Sequence, residues 1–160
     1  MKSNQKGFSL IEVLVTLIVM AIGISGLMAV QVNSMKNVNN SQYRTVATYF
    51  AYDMAERMRA NPVGLAAGAY NAINGSETNP GTSACKTATC SGADLAKVDA
   101  YDWNTAIKKL INEGGLGANA LGTVTAAAGL YTIQVAWTEQ DRADPVDGKT
   151  TKTISIEVQI

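Results

Sequence analysis

Twenty residues from Val13 to Val32 carry no charge, and no other feature limits the folding of this chain as strongly. As a helix rising ~1.5 Å per residue they reach ~30 Å, the thickness of a bilayer's hydrocarbon core. The apolar run starts earlier, at Phe8, and is broken only by Glu12. A short leader carrying Lys2 and Lys6 precedes it and ends in Gly7. Cations ahead of the span place the N-terminus in the cytoplasm and the bulk of the chain beyond the membrane. A carboxylate near the start of a span costs on the order of 2.5–3.5 kcal/mol even on lenient insertion scales. Glu12 therefore either sits at the water interface with no further role, or waits for a positive partner.

The string Gly7-Phe-Ser-Leu-Ile-Glu-Val-Leu-Val15 behind a basic leader resembles the class III leader of type IV prepilins. The resemblance implies that a membrane peptidase cuts between Gly7 and Phe8 and methylates the new Phe8 amine. Glu12 then becomes the fifth residue of the mature chain. Such a cut creates an ammonium at the positive end of a helix dipole. In a fibre core of low dielectric, an unpaired charge costs several kcal/mol, and pairing offsets much of that. Glu12 can meet the Phe8 amine of a neighbouring subunit or that of its own chain, four residues away. An ordinary secretory signal cleaved near Ala21, Gly23, Ser25 or Gly26 is the first rival, but the apolar run continues past those residues to Val32. An uncleaved anchor is the second, and it leaves Gly7–Phe8 and Glu12 without a reason. No cysteine lies near the N-terminus for a lipid anchor.

Beyond Val32 the helical signal turns amphipathic. Tyr43, Ala47, Phe50, Met54 and Met58 recur at helical spacing, with polar residues between them. Pro62 is expected to stop the helix, which predicts one element over residues 8–61, ~80 Å long, with 8–32 crossing the membrane. Gly23 and Gly26 are read as close-packing residues, with a soft point in the helix as the alternative. The stretch Ala51-Tyr-Asp-Met-Ala-Glu-Arg-Met-Arg-Ala-Asn-Pro62 resembles the helix end of the type IV pilus modification proteins, the PilV minor pilins. That resemblance makes Arg57, Arg59 and Asn61 candidates for holding the helix to a head domain. It implies an α+β, pilin-like fold: a long N-terminal helix packed on a small C-terminal antiparallel sheet. The organisation expected is a leader (1–7), a long helix (8–61) and a globular head (62–160).

Within the head, Val63 to Asp99 is rich in glycine and shows no long element, apart from a turn near Leu65–Tyr70. Cys85 and Cys90 enclose four residues. That spacing is poor for zinc and wrong for a C-x-x-C redox site, so a local disulfide is expected, contributing about 2 kcal/mol. A helix is predicted from Asp94 to Glu113 on the apolar positions Leu95, Val98, Trp103, Ile107, Leu110 and Ile111, stopped at Gly114–Gly115. Asp102–Trp103 on this helix is similar to the same family, although the proline of its following turn is missing. A weaker strand is expected at Leu121–Ala127, and strands at Tyr131 to Trp137 and at Ile154 to Ile160 alternate with a period of two. About three antiparallel strands with one apolar face are expected, that face covering the Tyr43–Met58 stripe. Asp141, Asp144 and Asp147 lie between the last two strands. They are weak candidates for a calcium ion, and a solvated acidic hairpin loop is the preferred reading.

Composition narrows the function. The 160 residues hold 13 basic and 13 acidic side chains and no histidine. Without Lys2 and Lys6 the balance is 11 to 13, far from the basic patch that nucleic-acid binding needs. The missing histidine removes the commonest general base and metal ligand. No catalytic constellation, metal or cofactor is expected. The resemblance implies a minor pilin, held in the inner membrane with a periplasmic head and then drawn into a type IV pilus near its tip. Its implied partners are the prepilin peptidase and methyltransferase, other minor pilins, the major pilin and a tip adhesin. A pseudopilin of a type II secretion system shares leader and helix and is the alternative. A periplasmic binding or enzymatic domain on an uncleaved anchor is the reading from another class.

Overall fold

The apolar run and the amphipathic stretch are both helical, and α1 extends from Leu10 to Ala60. The computed structural model describes residues 7–81, 85, 89–112, 118–140 and 148–160. The chain divides into two units, Met1–Asn39 and Asn40–Ile160. In the first, Phe8 and the helical residues through Val38 expose their large apolar side chains, Phe8 at 85 % and Val30 at 67 % among them. This helix is long and apolar enough to cross a membrane. Its hydroxyls return to its own carbonyls, Thr16 Oγ1 donating to the Val13 oxygen at 2.8 Å and Ser25 Oγ to that of Ala21 at 2.9 Å. Side chains that bond back to the helix present little polarity to lipid. α1 passes through Gly23 and Gly26 without a break, and within this unit nothing lies within 4 Å of either position where a Cβ would stand.

In the second unit, α1 supplies one side of the core. Tyr43, Ala47, Phe50, Met54 and Met58 are buried as their spacing predicts, joined by Ala51 and Ala55. The helix ends at Ala60, and Pro62 opens α2 (Pro62–Ala66). A proline suits the first turn of a helix because its missing N–H would have no partner there. Asn61 stands between the two helices and caps the second, its Oδ1 accepting from the Gly64 N–H at 3.0 Å. A turn through Asn71 leads into β1, only two residues long (Ala72–Ile73).

Helix α3 (Gly92–Ile107) begins two residues earlier than predicted. Ser91 is its cap: Ser91 Oγ accepts from the Asp94 N–H at 3.1 Å and donates to Asp94 Oδ2 at 2.7 Å. The Ser91 hydroxyl, then the Lys97 ammonium, holds the exposed Asp94 carboxyl below its usual range. From Lys108 to Asn112 the helix widens to the π form. This corrects the expectation of a regular helix to Glu113. The wider turn shifts the phase, so Ile111 is buried while Leu110 is 57 % exposed. Leu95 is only half-buried, and Ala96 and Ala100 take the inward positions. The expected stop at Gly114–Gly115 lies outside the described residues.

Three long strands complete the head: β2 (Ala118–Ala127), β3 (Leu130–Gln140) and β4 (Lys149–Gln159). With β1 they form a four-stranded antiparallel sheet in the order β1-β2-β3-β4, one short strand more than expected. β2 starts three residues before Leu121, across a register shift between Ala118 and Leu121 where Asn119 has a φ of 60°. Ala128 and Gly129 close the β2–β3 hairpin with φ of 50° and 81°, the left-handed pair that matches strand twist. Tyr131, Ile133, Val135 and Trp137 point into the core with the α1 stripe. Ile154, Ile156 and Val158 face the same way but are only partly buried, since β4 is the sheet's edge. Ile160 falls outside the pattern, 38 % exposed after the strand has ended. The layout is pilin-like, a long N-terminal helix packed on a small antiparallel sheet.

Candidate functional site

The leader-type segment is built simply. Gly7, Phe8 and Ser9 precede the helix, and the Ser9 carbonyl starts it by accepting from the Glu12 N–H at 3.0 Å and the Val13 N–H at 3.3 Å. Among the described residues nothing lies within 4 Å of a Cβ added at Gly7. An enzyme that reads this peptide bond therefore meets an open chain, one peptide removed from the exposed ring of Phe8. Glu12 occupies the first turn of α1, where a carboxylate is favoured by the helix dipole. A cut before Phe8 would place a second, positive group four residues from it. Both groups would then lie at one end of an apolar rod. Lys2 and Lys6 lie outside the described residues.

A second constellation ties the helix end to the head, and it is made of polar side chains. Asn61 Nδ2 donates to Tyr70 Oη at 3.0 Å and to the Gly92 carbonyl at 2.7 Å. Tyr70 Oη donates in turn to Asp99 Oδ2 at 2.6 Å. Asp99 Oδ1 accepts from Arg57 Nη1 at 3.3 Å, and Arg57 Nε donates to Asp53 Oδ2 at 2.9 Å. Burial, then the bond to Asp99, pushes the Tyr70 phenol far above its usual range. Burial opposes the Arg57 charge, but the bond to Asp53 and the charges of Asp53 and Asp99 outweigh it and raise its pKa. The phenol and the guanidinium both keep their protons, and Asn61, Tyr70 and Asp99 bridge α1, the turn after α2, and α3. Gly64 and Gly92 approach so closely that a Cβ on Gly92 would stand 2.6 Å from the Gly64 nitrogen. Of the three candidates named for this role, Arg57 and Asn61 fill it. Arg59 does not: it is exposed and pairs with Glu56 on its own helix.

Further along α3, Trp103 Nε1 donates to the Phe50 carbonyl of α1 at 2.9 Å. Asn104 closes part of the sheet edge. Its Nδ2 donates to the Gly122 carbonyl at 3.2 Å and its Oδ1 accepts from the Gly122 N–H at 2.8 Å, as a paired strand would. Asn104 and Asp99 were missed in the sequence, although both fall in phase with the buried residues Ala96, Ala100, Trp103 and Ile107. A polar residue on an apolar stripe was the available signal. Glu139 is a further buried polar group, accepting from Trp137 Nε1 at 2.8 Å. Burial, then the Glu139 charge, raises the pKa of Tyr43 on α1.

Cys85 and Cys90 are joined in a disulfide, with their Cα atoms 5.1 Å apart. Asp141, Asp144 and Asp147 lie outside the described residues. Among the described residues no group of three or more metal-ligating side chains gathers.

Two families match adjoining parts of the chain. Residues 2–28 match the prokaryotic N-terminal methylation motif, and residues 29–101 match the family described as Type IV pilin Tt1218. No curated protein and no solved structure matches the chain. The two families support a type IV pilin that carries a prepilin leader.

Proposed function

We propose that this chain is a minor pilin of a type IV pilus, cut between Gly7 and Phe8, methylated on the Phe8 amine and assembled through its apolar helix. The observation that carries this reading is a Gly7–Phe8 bond left open among the described residues, with Glu12 fifth in the chain counted from Phe8, at the start of an exposed apolar helix. Before assembly the helix anchors a periplasmic head in the inner membrane. After extraction the same surface is covered by the helices of other subunits, and burial of that much apolar area favours the fibre. The protein then acts as an enzyme's substrate and as a structural part, in a complex with other minor pilins that primes assembly near the tip. The Ala51–Pro62 stretch favours the modification-protein group over a pseudopilin.

Mass analysis of the chain recovered from membranes tests maturation. A methylated species beginning at Phe8 is expected, and an intact Met1 or Lys2 terminus would overturn the reading. Deleting the chain should reduce surface pili and leave type II secretion intact. Loss of secretion instead would identify a pseudopilin.

Glu12→Ala removes the proposed partner of the Phe8 amine. Membrane insertion and cleavage are expected to continue, because the substitution makes the span more apolar. Incorporation into sheared fibres is expected to fall at least about tenfold, since an amine left unpaired in a helical core costs several kcal/mol. Undiminished incorporation would refute the pairing role.

A further inference from the structure

Immediately after β1 the chain bends around one carboxylate. The sequence holds a single Asn–Gly pair, Asn74–Gly75, and it follows Ile73, the last residue of that strand. Glu77 reaches back to it: Oε1 accepts from the Asn74 N–H at 2.8 Å and from the Gly75 N–H at 3.0 Å. The other oxygen, Oε2, accepts from Asn104 Nδ2 of α3 at 3.0 Å, which fixes the carboxylate in place. Ser76 holds the Asn74 side chain, its N–H donating to Oδ1 at 3.0 Å and its hydroxyl at 2.6 Å. Lys108 Nζ donates to the Gly75 carbonyl at 2.9 Å. Gly75 has a φ of 80°, and a Cβ there would overlap Leu121 Cδ1, so only glycine fits.

We propose that Asn74–Gly75 is a self-modification site, in which the Gly75 nitrogen closes on the Asn74 side chain to form a succinimide that water opens to aspartate or isoaspartate. The parts that such an acyl transfer needs are in place. The Glu77 carboxylate is within hydrogen-bond reach of the proton it must take. The two Ser76 donors meet the oxygen on which negative charge develops, Asn74 Oδ1. The Lys108 ammonium sets a positive charge on the carbonyl of the residue whose nitrogen ionises, which favours that ionisation. Nucleophile and electrophile belong to neighbouring residues, and the bond from the Ser76 N–H folds the Asn74 side chain forward along the peptide that attacks it.

The step needs no oxidant or reductant. The Gly75 N–H proton passes to Glu77, the nitrogen bonds to Asn74 Cγ, and Nδ2 leaves as ammonia with that proton. One water then opens the ring at either carbonyl, and the exposure of Asn74 and Ser76 lets water reach it. A neutral amide has become a carboxylate beside Glu77, and the isoaspartyl product adds one carbon to the main chain at the end of β1. Asn79 supplies the contrast. Its Oδ1 accepts from the Gly81 N–H at 3.0 Å in the same kind of turn, but Pro80 follows it and has no N–H to attack with.

The full chain, held in detergent at neutral pH in heavy-oxygen water, tests the site. Peptide masses after digestion at acid pH are expected to show ammonia lost and heavy oxygen gained at residue 74, and neither at Asn79. The folded chain should react at least about tenfold faster than the same chain unfolded in urea, because a positioned base contributes ~10²–10⁴-fold. Glu77→Gln keeps an acceptor oxygen for the two amides but takes no proton, and should slow the reaction at least about tenfold. Ser76→Ala removes the hydroxyl donor, keeps the backbone one, and should slow it severalfold. A folded chain that reacts no faster than the unfolded one, an unchanged rate in Glu77→Gln, or equal labelling of Asn79 would each overturn the proposal. The folded and unfolded rates are both read on the unsubstituted chain, so that comparison decides even where a variant fails to fold.

Discussion

Gly7→Leu in the full chain is expected to leave only the precursor in membranes, with no species beginning at Phe8. The expectation is all-or-none because the substitution has almost nowhere else to act. Gly7 precedes the first helical residue, Leu10, and among the described residues no atom stands within 4 Å of an added Cβ. Folding of the head and insertion of the span are therefore untouched, and the change falls on whatever enzyme must fit the bond between residues 7 and 8. Two effects follow from the same block. The Phe8 amine never forms, so Glu12 stands at the start of an apolar helix without its proposed partner, and incorporation into fibres should fail as well. Mass analysis of the membrane fraction reads the first, and sheared fibres the second. Normal maturation of the variant would remove the leader assignment.

Asn61→Ala should cause the largest loss of stability among single changes at the helix–head junction. The side chain is 5 % exposed and makes three bonds, to the Gly64 N–H, the Gly92 carbonyl and Tyr70 Oη. Its removal leaves those groups in a site that water does not easily enter, at ~1–3 kcal/mol for each one unsatisfied. A total of about 3 kcal/mol or more is expected, a large fraction of the roughly 5–15 kcal/mol that holds a domain folded. The midpoint of denaturant unfolding, followed on the full chain in detergent, measures it. Arg59→Ala on the neighbouring turn is the control. Its ion pair with Glu56 is solvent-exposed, so a change within about 0.5 kcal/mol is expected. Equal effects of the two substitutions would show that the Asn61 network does not hold the junction.

Legibility of the sequence divided along a physical line. The α1 stripe from Tyr43 to Met58, the inward row from Tyr131 to Trp137 and the stop before Pro62 were all readable. Each depends on residues within one or two turns, or two positions, of one another. The Cys85–Cys90 bridge belongs to the same class, spanning five residues. The errors arose where a local rule met a distant partner. Leu110 fits a regular helix, but the π turn from Lys108 to Asn112 rotates it outward. β1 is too short to show a period and exists only because Ala72 and Ile73 meet Thr125 and Val124, some fifty residues later. Ile154 to Val158 alternate as a core strand does, yet remain half-covered at the edge.

The residue pattern alone sets the chain's two-part character: an apolar helix headed by Gly7, Phe8 and Glu12, then an amphipathic helix and a set of alternating strands. Those properties follow from charge, hydropathy and period, which are local quantities. How the helix end is held depends on contacts between segments far apart in the chain. Asn61 meets Tyr70 across nine residues, Tyr70 meets Asp99 across twenty-nine, and Trp103 reaches the Phe50 carbonyl across fifty-three. A polar side chain gives the same sequence signal whether it faces water or a buried partner, and folding alone brings that partner within 3 Å.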